Sequence, residues 1–361
     1  MFFDNVQFGP KDMFNDLKQA VDLDQSPQTV DLGIGVYRGE NGQPYEMEVL
    51  RSAKKILAEA NPSHEYQVTT GNAQLLADGA KVIFGGESAV VSSGRTLVSH
   101  GQLASVQTLS GSGAIHTGAM FLKHGGVAGL SNVIYVGRPT WGNYEPLLRL
   151  AGFEVRTYNY YEAAANAMDV VAMLAALQEA PCGSIVALQG CCHNPCAVDP
   201  TPAQWRAIAG AVRARGLVPL FDMAYQGLGR GIDEDAYAVR HFVDEAGVAE
   251  LLVCQSFAKN CSLYGERVGA VHVVCATADA ARAVRDQLRC MVRWEFSSSP
   301  LYGGRLAEIM LSQLGDQWRS ELSTMRERLQ RNRNMLYRLL TDVYKTPGDW
   351  KFIIHGYGLF S

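Results

Sequence analysis

No stretch of the 361-residue chain is apolar for long enough to span a membrane. Charge of one sign is not in excess either: the net charge is −4, with both signs mixed along the chain. That leaves no electrostatic footprint for nucleic acid or an anionic membrane surface. The first ten residues, MFFDNVQFGP, lack a basic start, a long apolar run and an arginine-rich face. No secretory or organellar leader is read there. The expected compartment is the cytoplasm, or the mitochondrion if a transit peptide was removed. Internal repeats and low-complexity tracts are missing. Eight cysteines in a chain this long do not make a small disulfide scaffold, so reduced thiols are expected. What the chain has is 47% hydrophobic residues, enough for one large domain and a smaller one.

The rest of the chain is organised around residues 251–269, LLVCQSFAKNCSLYGERVG. The apolar run Leu251–Cys254 reads as a buried strand. The polar turn after it carries Ser256, Lys259 and Arg267. Open α/β sheets bind ligands outside the carboxyl ends of their strands. A lysine there, partly desolvated, loses its proton more easily and becomes a nucleophile that forms a Schiff base with a carbonyl. Ser256 and Arg267 supply a hydroxyl and a fixed cation, which suit a phosphate. A lone lysine at a strand end is more commonly a solvated surface residue, so the neighbours decide.

Strand, turn and helix alternate from about residue 90 to 280. The pattern predicts an α/β fold with a mostly parallel sheet covered by helices on both faces. Strands are expected at 104–109, 132–136, 153–158, 184–188, 217–221, 251–254 and 268–275. Helices are expected at 49–60, 114–122, 170–177 and 202–215, the last capped by Thr201. An N-terminal arm and a helix precede a short extended segment, Val30–Tyr37, in which Gly33 and Gly35 allow close backbone approach. Residues 64–71 read as a loop containing Tyr66. Between Ser320 and Leu340, the residues Leu322, Met325, Leu329, Leu336 and Leu340 fit one helical stripe, a long helix leading to a smaller C-terminal domain.

The loop Ser110-Gly111-Ser112-Gly113 opens the 114–122 helix and aims free N–H groups at one spot, a good phosphate site. It is not a Walker loop, because no Lys-Ser/Thr follows the second glycine. Cys191, Cys192, His193 and Cys196 lack the paired spacing of zinc ribbons and knuckles, and no metal is expected. They also make a weak nucleophile pair.

The strand ends together carry one set of groups suited to a phosphorylated aromatic aldehyde. Lys259 would bond the aldehyde. Asp222 would sit against a ring nitrogen and keep it protonated, making the ring an electron sink for carbanion chemistry. Tyr225 and Asn194 would hydrogen-bond a ring oxygen. Trp141 would stack on the ring face. Ser110, Gly111, Ser112, Ser256 and Arg267 would hold the phosphate.

The motifs QTLSGSGA (107–114), PTWGN (139–143), CHNP (192–195), FDMAYQG (221–227), SFAKN (256–260) and YGERVGA (264–270) resemble those of class I aminotransferases. Within that class the chain is most similar to aspartate aminotransferases, from about Val30 to its end. The resemblance implies a pyridoxal-phosphate enzyme of fold type I. Residues 1–45 would be an N-terminal arm and part of a small domain. Residues 46–315 would form the large cofactor-binding domain, and 316–361 the linking helix and start of the C-terminal small domain. It implies a homodimer with active sites at the interface, no nucleic-acid or membrane partner, and amino acids and 2-oxo acids as substrates. By motif, Lys259, Asp222 and Tyr225 are the catalytic residues. Tyr66 would reach the phosphate of the neighbouring subunit. Gly35 would approach the substrate carboxylate, beside Trp141 and Asn194. Arg293 would cross the interface to grip the distal end of a dicarboxylate.

The sequence departs from the family pattern at three places. Gln189 stands where a His is usual, Tyr144 replaces a common His, and Asn194-Pro-Cys-Ala197 replaces Asn-Pro-Thr-Gly. The family's terminal segment, with the arginine for the α-carboxylate, would lie beyond Ser361. The expected activity is ping-pong amino transfer from L-aspartate to 2-oxoglutarate, giving oxaloacetate and L-glutamate. The alternatives are an aromatic or broad-specificity aminotransferase, a non-catalytic protein of the same fold, and an aldolase-like lysine without the cofactor.

Overall fold

The computed structural model describes residues 1–31, 33, 35–85 and 101–359. Residues 46–359 form one compact unit, and residues 1–45 belong to a second. In the larger unit the described strands are β1 (Leu103–Leu109), β2 (Val133–Arg138), β3 (Glu154–Asn159), β4 (Tyr161–Glu162), β5 (Ala167–Met168), β6 (Ile185–Gln189), β7 (Val218–Met223), β8 (Leu251–Ser256) and β9 (Val268–Val274). β4 and β5 pair as a small hairpin, and the other seven make one sheet in the order β1-β9-β8-β7-β6-β2-β3. β3, β2, β6, β7 and β8 run parallel, while β9 runs against both β8 and β1. The fold is therefore α/β with a mostly parallel sheet, as the alternating pattern predicts.

β8 and β9 are buried at every position. Strands covered on both faces read as continuous apolar runs rather than as alternation. The Ser110–His124 helix packs Ile115 and Ala119 into a core with Val106, Leu252, Cys254 and Val271. Leu288 and Val292 of the Ala278–Glu295 helix join the same core. The Pro202–Arg215 helix opens with a capping box, in which the Thr201 hydroxyl accepts the Gln204 N–H and the Gln204 side chain accepts the Thr201 N–H.

Two expectations are corrected. Residues 110–113 are not a loop before the helix but its first turn. Packing against β8 and β9 outweighs the poor helix propensity of two glycines. The long helix spans Gly315–Arg338, beginning one residue before the expected 316, and passes into a π-helical turn, Leu339–Val343. Trp318 anchors that start, buried, with its indole N–H donating to the Asn260 carbonyl at 2.7 Å. Of the predicted stripe only Leu322 and Met325 are buried.

In the smaller unit a helix spans Met13–Leu23. Arg38 pairs with Asp31 at 2.8 Å and makes a single bridge with Pro44. No helix among the described residues is long and apolar enough to cross a membrane.

Candidate active site

The sheet register sets Gln189, Asp222 and Cys254 side by side near the carboxyl ends of β6, β7 and β8. β7 then turns through Ala224 and Tyr225. β8 ends at Ser256, three residues before Lys259, and β1 runs straight into the helix that begins at Ser110. These ends surround a pocket with about 430 Å³ of empty space. Lys259, Asp222, Tyr225, Asn194 and Trp141 line it, and so do Ser110, Gly111, Ser112, Ser256 and Arg267. Ile115, Gln189 and Ala224 complete the lining. Sequence reasoning did not find Ile115 and Ala224, which carry no chemical signal of their own.

One end of the pocket is a cup of small polar groups. The Ser110–His124 helix has no side-chain cap, so its first N–H groups need an outside acceptor. The Ser110 and Ser256 hydroxyls lie 3.1 Å apart, and the Ser256 hydroxyl accepts the Ala258 N–H at 3.2 Å. A Cβ on Gly111 would come within 3.1 Å of the Ser256 Cβ and narrow the cup. Gly269 on β9 is needed for a closer approach, since a Cβ there would lie 2.5 Å from the Ser110 carbonyl carbon. Ser110 and Arg267 adopt left-handed backbone, with φ of 62° and 55°. Such residues cost of order 1 kcal/mol each and cluster where function needs them. The exposed Arg267 guanidinium donates to the Tyr264 carbonyl at 2.8 Å.

At the other end lies a buried carboxylate. Asp222 accepts a 2.6 Å hydrogen bond from the Tyr144 hydroxyl at Oδ2, while Oδ1 is buried with no partner among the described residues. Burial raises the Asp222 pKa, and the Tyr144 hydrogen bond and Lys259 charge oppose that rise. Burial lowers the Lys259 pKa below the ordinary 10.5; Asp222 counters this, and Arg267 adds to it. Lys259 Nζ sits 5.0 Å from the Tyr225 ring centroid. Burial, helped by Asp222, keeps the Tyr225 phenol protonated well above its usual range.

Three predicted residues are not among those that line this pocket. Tyr66 is 87% exposed. Arg293 is exposed on the Ala278–Glu295 helix, and its Nη1 donates to the Ser297 hydroxyl at 2.7 Å. Gly35 belongs to the unit of residues 1–45. The residues weighed as zinc ligands do not assemble as a set. Among the described residues, Cys191 and Cys192 instead lie with Asp235, their ligand atoms within 4.8 Å of one another. The Asp235 carboxylate already accepts the N–H groups of Gly227, Gly229 and Arg230. His193 stacks on Tyr160, the ring centroids 3.8 Å apart.

Known proteins resemble this chain in sequence and fold. Residues 27–361 match the family described as aminotransferase class I and II. The chain is 45% identical to aminotransferase tasG of Hapsidospora irregularis over 312 residues, covering 86% of this chain and 80% of that protein. It is 40% identical to the cytoplasmic aspartate aminotransferase of Oryza sativa subsp. japonica over 365 residues, 99% of this chain and 86% of that one. The aromatic-amino-acid aminotransferase of Burkholderia pseudomallei, solved covalently bound to pyridoxal phosphate, superposes with a TM-score of 0.91 at 36% identity, covering 99% of this chain and 87% of that one. This chain belongs to the class I and II aminotransferases, a family of pyridoxal-phosphate-dependent enzymes.

Proposed function

We propose that the chain is an aspartate aminotransferase, moving the amino group of L-aspartate to 2-oxoglutarate in two half-reactions to give oxaloacetate and L-glutamate. One observation carries the reading: Lys259 shares a pocket with a buried Asp222 oxygen that has no partner among the described residues. A buried acceptor without a partner is costly unless a ligand donor meets it. A protonated pyridine nitrogen is such a donor.

The other groups fit the same cofactor. Ser110, Gly111, Ser112, Ser256 and Arg267 would hold its phosphate, with the uncapped helix start adding N–H donors. Tyr225 and Asn194 would donate to the ring oxygen, and Trp141 would cover the ring face. Lys259 would hold the carbonyl end. When bound, pyridoxal phosphate supplies a ring that stores the electron pair released at the amino acid's α-carbon. Asp222 keeps the ring-nitrogen proton in place. Lys259 Nζ, its ammonium disfavoured by burial, is the base that takes the Cα proton.

The exposed Tyr66 and Arg293 would serve the pocket of a second copy in a homodimer, with Gly35 near the substrate carboxylate. Arg293 there would grip the distal carboxylate of aspartate through a charge-assisted fork. A second reading, aromatic or broad specificity, is favoured by Trp294, which is 71% exposed beside Arg293, and by the similarity to the Burkholderia enzyme.

An amino-donor screen with 2-oxoglutarate tests the choice. Arg293→Ala should lower kcat/KM for aspartate at least about tenfold more than for phenylalanine, the worth of a charge-assisted contact. Equal losses would remove the argument for aspartate.

A further inference from the structure

Tyr144 touches two of the groups that line the pocket. It is 2% exposed and opens the Tyr144–Leu150 helix. Its hydroxyl donates to Asp222 Oδ2 at 2.6 Å. Its ring meets Trp141 edge to face, the centroids 5.4 Å apart and the planes at 89°. We propose that Tyr144 is a positioning residue of this site: its hydroxyl fixes the Asp222 carboxylate so that Oδ1 is offered to the cofactor's ring nitrogen, and its ring seats Trp141. The inference rests on the reading above, in which Asp222 serves that nitrogen.

The surroundings explain why the hydroxyl matters. Asp222 is buried among groups that do little to keep it charged. Cys254 on β8, Cys191 after β6, Tyr158 on β3 and Tyr225 after β7 are the titratable neighbours of Asp222 and Tyr144, and burial holds Cys254, Tyr158 and Tyr225 in their neutral forms. Lys259 is the cation that supports the carboxylate, and the Tyr144 hydrogen bond is the other support. Hydrogen bonds to an ionised oxygen are the stronger kind. Burial and the Asp222 charge push the phenol well above 10, so it remains a donor at any working pH. Without it, Asp222 is free to rotate or to take up a proton, and either change spoils the acceptor at Oδ1.

The test is a double-mutant cycle on pyridoxal-phosphate affinity, measured by equilibrium dialysis of the cofactor-free protein, with thermal midpoints recorded beside it. Tyr144→Phe keeps the ring and removes the hydroxyl. It should weaken binding about tenfold in the native background and change little in an Asp222→Asn background. Tyr144→His, which restores a donor, should recover most of the loss and stands in should Tyr144→Phe fail to fold, with Tyr144→His then expected within about threefold of the native affinity. A residue that only supported the fold would lower the midpoint and weaken binding equally in both backgrounds. That result, or no loss in Tyr144→Phe, overturns the role of Tyr144 while leaving Asp222 in place. Unchanged binding in Asp222→Asn alone overturns the reading of Asp222, and this inference with it.

Discussion

The side chain of Gln189 grips the backbone of Asn194 from both sides. Its Oε1 accepts the Asn194 N–H at 2.8 Å, and its Nε2 donates to the Asn194 carbonyl at 3.1 Å. Nε2 also reaches the Thr140 hydroxyl at 3.3 Å. One amide thus fixes the turn after β6 and ties it to the turn after β2, where Trp141 sits.

Gln189→Leu keeps the bulk and removes all three bonds. Each is worth about 1 kcal/mol net, and the Asn194 backbone groups lose their partner. The expected outcome is a fall of about tenfold in kcat/KM for transamination, measured with saturating cofactor. An unchanged value would show that Asn194 is held by other means.

The charge state of Lys259 gives a second prediction. Uptake of pyridoxal phosphate by the cofactor-free protein needs the neutral amine, so its rate should rise with pH to an inflection below 10.5. Arg267 depresses the lysine pKa and Asp222 raises it. Arg267→Gln should therefore move the inflection to higher pH, and Asp222→Asn to lower pH. Shifts of the opposite sign would contradict the electrostatics described for the pocket.

Acid stability supplies a third. His272 on β9 is fully buried. Its Nε2–H faces Gln255 Oε1 at 3.1 Å, which can only accept, so Nδ1 accepts from the Ser105 hydroxyl at 2.7 Å. In this neutral arrangement Nδ1 carries no proton, and burial holds the folded pKa down at about 4 against 6.5. The unfolded chain binds the proton first as pH falls below 6.5. Stability is therefore lost through that window, down to about pH 4, and the loss is about 2 kcal/mol by pH 5. His272→Gln should show a shallower fall in thermal midpoint between pH 7 and 5 than the native chain. Parallel curves would place the acid sensitivity elsewhere.

Much of this was legible in the residues themselves. A strand buried on both faces must be apolar throughout, so Leu251–Cys254 announced itself, and the polar residues just past it marked the ligand side of the sheet. Ser110, Asp222 and Lys259 could be placed for the same reason. Other features depend on contacts that no local pattern encodes. Gln189 and Tyr144 look like simple departures from a family pattern until the fold brings them against Asn194 and Asp222. The start of the long helix depends on Trp318 finding the Asn260 carbonyl, across residues far apart in sequence. The lower half of the Leu322–Leu340 stripe is apolar yet unburied, because periodicity reports a helix face without saying what covers it.

The central claim is that Lys259 is the lysine to which the cofactor is joined. Borohydride reduction of the protein loaded with pyridoxal phosphate, followed by proteolysis and mass spectrometry, reads it directly. The pyridoxyl phosphate mass should appear on the peptide that contains Lys259, with no label at that position in Lys259→Ala. Label on a different lysine, or none on a protein that still transaminates, would contradict that claim.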